Sequence, residues 1–108
     1  MGKTENYSTP FSLADAIQIQ ADAVVSKTII NKPTGTVTLF GFDEGQSLSE
    51  HTAPYDALAI LIDGEADISI AGEWFHVIGG QSLLLPANKP HALKAATPYK
   101  MLLIMVKE

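Results

Sequence analysis

Cysteine is absent from the 108 residues, and so is arginine: the seven cations are all lysine. Without cysteine there are no disulfides, thiolate metal sites, thiol nucleophiles or iron–sulfur clusters, so any metal has to be held by nitrogen or oxygen. Without arginine there is no bidentate fork for a carboxylate or phosphate, and an acidic ligand has to be met by lysine, histidine, backbone amides or a metal. Positive charge is scarce as well. Seven lysines against 12 acidic residues leave a formal charge of −5, which excludes nucleic acid as an expected partner, because binding a phosphate backbone is driven by cations. No run approaches the ~20 apolar residues of a membrane span, and MGKTENYSTP lacks the apolar stretch of a secretory signal, so a cytoplasmic protein with no membrane partner is expected. Serines 47, 49 and 82 sit in no G-x-S-x-G elbow, and the carboxylates are scattered singly. Serine-hydrolase and two-carboxylate glycosidase chemistry therefore have no support.

What is present suits one domain. A chain of this length, 46% hydrophobic, buries roughly two-thirds of its unfolded surface and forms a single core. The polar residues 1–10 read as a flexible arm preceding a domain over residues 11–108. Ser12-Leu13-Ala14-Asp15 has capping-box spacing, which predicts one short helix from about Leu13 to Ile17.

From Val24 onward the pattern changes to short runs rich in Val, Ile, Thr, Leu and Phe, divided by Gly, Pro, Asn and Asp. Nine strands are predicted: Val24 to Ile30, Thr36 to Phe42, Ser47 to Thr52, Asp56 to Ile62, Ala66 to Ile70, Glu73 to Ile78, Gln81 to Leu85, His91 to Ala95 and Tyr99 to Val106. Asp63-Gly64 predicts a two-residue hairpin, and Ala71-Gly72 and Gly79-Gly80 mark the next corners. So many short strands form long open edges unless they curl into two facing sheets, so the expected fold class is all-β, a small jelly-roll β-barrel with one short N-terminal helix. The last strand is apolar on both faces, with Met101, Leu103 and Met105 on one and Leu102, Ile104 and Val106 on the other. That pattern predicts a homodimer whose contact uses either this strand, Tyr99 to Val106, or the sheet around Trp74 to Ile78.

Two spacings are more specific. Gly45 is followed after five residues by His51 and later by Gly64; Gly80 is followed after five residues by Pro86, then Asn88 and His91. The chain thereby resembles the cupins, a family of small barrels whose first motif continues His-x-His and Glu and whose second reads Pro-x-Gly, His and Asn. In this sequence Ala53 stands where the resemblance implies a second histidine, Ala57 where it implies glutamate, Asn88 where it implies glycine and Ala95 where it implies asparagine. Of the implied metal ligands only His51 and His91 remain.

On a strand, residues 51, 53, 55 and 57 share one face, so His51, Ala53, Tyr55 and Ala57 are expected to point inward with His91, and Glu50 and Asp56 outward. The resemblance implies that the two histidines approach each other across the barrel cavity. Three functions follow. The first is binding of a small organic molecule beside the two histidines, with a reduced or absent metal site. The second is a metal-dependent oxygenase or isomerase whose divalent ion (Fe, Mn, Ni, Cu or Zn) is weakly held by His51, His91 and water. The third is a structural or interaction protein with a filled barrel. His76 is expected on the surface.

Overall fold

The computed structural model describes residues 6–107. Eight strands follow one another: β1 (Val24–Lys32), β2 (Gly35–Phe42), β3 (Ser47–His51), β4 (Asp56–Ile70), β5 (Glu73–Ile78), β6 (Ser82–Leu85), β7 (His91–Lys94) and β8 (Tyr99–Val106). All pairings are antiparallel. One sheet is β1-β2-β8-β4-β6 and the other is β3-β7-β4-β5. The fifteen-residue β4 belongs to both: residues 56–64 pair with β8 in the first, and residues 65–70 pair with β5 in the second. The fold is the expected all-β jelly roll, closed by one strand passing between its sheets.

That passage corrects the hairpin predicted at Asp63-Gly64. A type I′ turn needs positive φ at both central residues, whereas here Gly64 has φ +86° and Asp63 is not in that region. The chain bends instead of reversing, at a register shift between Leu61 and Asp63. A Cβ on Gly64 would lie 2.2 Å from the Pro98 carbonyl oxygen and 2.8 Å from Tyr99 Cα, so glycine serves close approach to the start of β8 as well as backbone angle. The real type I′-like reversal is Ala71-Gly72, with φ of 50° and 85°, joining β4 to β5.

The predicted helix from Leu13 to Ile17 is also corrected: no helix forms among the described residues. Ser12 O accepts from the N–H groups of Asp15 and Ala16 at 3.2 and 3.1 Å, and the chain then leaves the turn. The capping signal is real, but five residues make too short a helix to offset nucleation. The segment packs instead. Ile17 is buried with Leu39 and Leu102, and Leu13 and Ala16 lie against the same cluster on the outer face of the larger sheet; Lys100 Nζ donates to Ala14 O. Part of the second apolar face of β8 is thus covered by the protein's own chain. Of the arm expected over residues 1–10, residues 1–5 lie outside the described residues.

The main core fills the space between the sheets. Phe42, Leu61, Ile68, Leu85, Leu93, Tyr99 and Met101 are buried there with small residues Ala57, Ala59 and Ala66. Phe42 and Tyr99 stack with ring centroids 4.5 Å apart. Among the described residues no helix is long and apolar enough to cross a membrane.

Candidate functional site

Between the two sheets, toward the end formed by residues 51–55, is a cavity of about 360 Å³. That is within the range of small-molecule pockets. Its apolar wall comes from both sheets: Phe40 of β2, Leu85 of β6, Leu93 of β7, and Met101, Leu103 and Met105 of β8. Alternation along β8 accounts for the last three, which share a face. His51, Ala53, Tyr55, Ala57 and His91 all line it, as do Thr52 and Pro54. Glu50 and Asp56 do not, and Asp56 Oδ1 instead accepts from the Ala87 N–H at 2.8 Å. Residues 51, 53, 55 and 57 thus line the cavity on both sides of Pro54, and because the segment between β3 and β4 is not strand, Thr52 and Pro54 line it too.

The two histidines are register partners on the adjacent strands β3 and β7. They stand side by side on one wall, with ring centroids 4.3 Å apart and planes at 67°, the close approach that the resemblance implied. Two local devices hold them. Asn88 takes φ +63° in the loop before β7, as its tolerance of the left-handed region allows, and its N–H donates to Ala53 O at 2.8 Å. Each ring is then oriented by its own strand: His51 Nδ1 is 3.0 Å from Ser49 O, and His91 Nδ1 is 3.4 Å from Lys89 O. Neither Nε2 has a hydrogen-bond partner among the described residues. His91 is buried while His51 is exposed at the mouth. Burial, and then the neighbouring His51, hold the His91 pKa below its ordinary value, with the Lys89 carbonyl opposing.

A divalent metal fits this donor set poorly. A carbonyl-oriented imidazole is a good ligand, but stable sites take at least three protein donors, and no group of three His, Asp or Glu side chains able to hold an ion occurs among the described residues. Ala53 and Ala57, beside the histidines in the lining, supply only methyl groups.

A second cluster went unread in the sequence. On the outer face of the smaller sheet, His76 Nδ1 lies 2.8 Å from Asp67 Oδ1 and His76 Nε2 lies 2.7 Å from Glu65 Oε1. The hydrogen bond to Asp67, then that to Glu65, raises its pKa. Glu65 and Asp67 share parity, but only the β4–β5 register, which pairs Asp67 with His76, brings the three together. All three groups are solvated. Trp74 is the outward-facing member of the Trp74-Phe75 pair, with Lys94 Nζ 4.7 Å above its ring.

The cupin domain model matches residues 38–107, well over half of the chain, and the chain belongs to that family. A conserved protein of unknown function from Streptococcus pyogenes is 32% identical, with a TM-score of 0.92 over 98% of this chain and 93% of its own. A cupin superfamily protein from Desulfitobacterium hafniense is 28% identical, with a TM-score of 0.90 over 98% of this chain and 97% of that one. A cupin barrel-domain protein from Leptotrichia buccalis is 43% identical, with a TM-score of 0.87 over 90% of this chain, which spans 47% of that one. No curated protein matches the sequence. The chain is a small cupin.

Proposed function

We propose that this cupin binds a small organic molecule in its barrel, with His51 and His91 at the polar end and no tightly held metal. The observation that carries this reading is the cavity of about 360 Å³, largely apolar, with two imidazoles whose Nε2 atoms are unengaged. The alanines at 53 and 57 leave room where ligands to an ion would stand. The test is a thermal-shift screen of small aromatics, alcohols, organic acids and sugars against the wild type and the His51→Ala and His91→Ala variants, with and without added metal. A true ligand loses about 1–3 kcal/mol in either variant, as for one lost buried polar partner. A ligand whose stabilisation is the same in all three proteins does not use this site, and the reading falls.

We also propose that the larger sheet pairs with a second copy of the chain. Ile30, Val37, Ile104, Leu58 and Leu84 are consecutive register partners across β1, β2, β8, β4 and β6, and Ile30, Leu58 and Leu84 are among the exposed large hydrophobics. Five strands make a row about 20 Å long, the breadth of a standard interface of ~800 Å² per partner. A twofold axis through the row's centre lays it on its own copy.

A further inference from the structure

We propose that the cavity selects an uncharged molecule whose apolar body carries a hydroxyl, and that this hydroxyl donates its hydrogen bond to the histidine pair; the inference rests on the cavity being a binding site. A carbonyl oxygen only accepts, so in the pairs His51 Nδ1 to Ser49 O and His91 Nδ1 to Lys89 O the ring nitrogen carries the proton and donates it. In a neutral imidazole the other nitrogen, Nε2, is then an acceptor. His91 is buried and edge-on to His51 at 4.3 Å, a position in which a positive charge on both rings at once is opposed by repulsion and by lost hydration.

With both rings neutral, the polar end presents two lone pairs and no fixed cation. No lysine, aspartate or glutamate lines the cavity. The ammonium of Lys107 lies 5.0 Å over the face of the Tyr55 ring, outside the lining. A carboxylate brought to this wall meets acceptors with acceptors and sheds its hydration for little return. An ether or ketone of the same shape brings no donor either, and leaves the buried His91 nitrogen unpaired. An O–H carries one proton and supplies one hydrogen bond to the pair, the donor that an ether or ketone lacks. The rest of the wall, including Phe40, Leu93, Met101 and Met105, suits an aromatic or alicyclic body, with the thioethers adapting to its outline. Thr52 and Tyr55 carry hydroxyls that donate or accept, so they do not discriminate between these ligands.

The test uses three molecules of one shape: 2-naphthalenemethanol, its methyl ether and 2-naphthoate. Each is titrated at pH 8 into the metal-free full-length protein, with affinity taken from calorimetry and location from the Hε1 resonances of His51 and His91, assigned by their loss in His51→Ala and His91→Ala. The alcohol is expected to bind about tenfold or more tightly than either analogue, to shift both ring resonances, and to lose that preference in the two variants. Binding of the ether or the naphthoate in the cavity as tightly as the alcohol overturns the inference and leaves the binding reading standing. If none of the three moves either resonance, and the broader screen yields no ligand sensitive to His51 or His91, both fall together.

Discussion

Replacing Gly64 by alanine tests how β4 serves two sheets. The perturbation has two parts that the structure separates. A non-glycine residue at φ +86° costs about 1–2 kcal/mol in backbone strain alone. The added Cβ would also sit 2.2 Å from Pro98 O and 2.8 Å from Tyr99 Cα. Both are backbone atoms, so no rotamer change relieves the overlap, and either the bend of β4 or the start of β8 has to move. Losses of this origin reach ~4 kcal/mol or more, a large share of the ~5–15 kcal/mol that holds a domain together. Gly72 is the control, with φ +85° and nothing within 4 Å of its virtual Cβ, so Gly72→Ala carries the strain without the collision. Urea unfolding followed by far-ultraviolet circular dichroism and by the single tryptophan, Trp74, gives both losses. Gly64→Ala is expected to exceed Gly72→Ala by at least ~2 kcal/mol, or to fail to accumulate folded while Gly72→Ala folds. Equal losses would refute the claim that close packing at residue 64 sets the path of β4.

Four further outcomes are expected. The Tyr99 hydroxyl is buried without a hydrogen-bond partner among the described residues, so Tyr99→Phe should stabilise by about 1 kcal/mol; a loss of stability in thermal unfolding would show that the hydroxyl is satisfied. Burial pushes the Tyr99 phenol well above its ordinary value of 10.0. The unfolded chain thus releases that proton first, the wild type should lose stability as pH rises above about 10, and Tyr99→Phe should lack that part of the slope. Ala53→His with Ala57→Glu should convert two donors into four and retain nickel or zinc through dialysis, measured by elemental analysis; stoichiometric metal retained by the wild type against a chelator would mean that a ligand exists outside the histidine pair. Sedimentation at tens of micromolar should show a dimer that Leu58→Lys dissociates, and a monomeric wild type would refute pairing through the Ile30 to Leu84 row.

Much of the molecule is legible in the residues because its determinants are local. Alternation with period two marks the strands, and glycine and asparagine mark the reversals: Ala71-Gly72 and Asn88 adopt the positive φ that such residues permit. The spacing from Gly45 to His51 and from Gly80 to His91 identifies the family and brings out two histidines that become neighbours. Alternation also predicts that Ala53, Tyr55 and Ala57 accompany them. What stays hidden depends on partners distant in sequence. Asp63-Gly64 has the residues of a hairpin, and only the backbone of Pro98 and Tyr99, more than thirty positions on, makes it a bend in a continuous strand. Ser12 to Asp15 has the residues of a helix start, but Ile17 gains more from burial against Leu39 and Leu102 than a single turn gains from continuing. The outward row from Ile30 to Leu84 and the His76 cluster exist only once the register is set. By itself the sequence determined which stretches are strands, which family they build and which two imidazoles the barrel keeps, because backbone angle and side-chain alternation are properties of a few adjacent residues. Only the tertiary structure decided that those imidazoles share one wall with their Nδ1 protons engaged, because strand register and the carbonyls within reach are fixed by residues far apart in the chain.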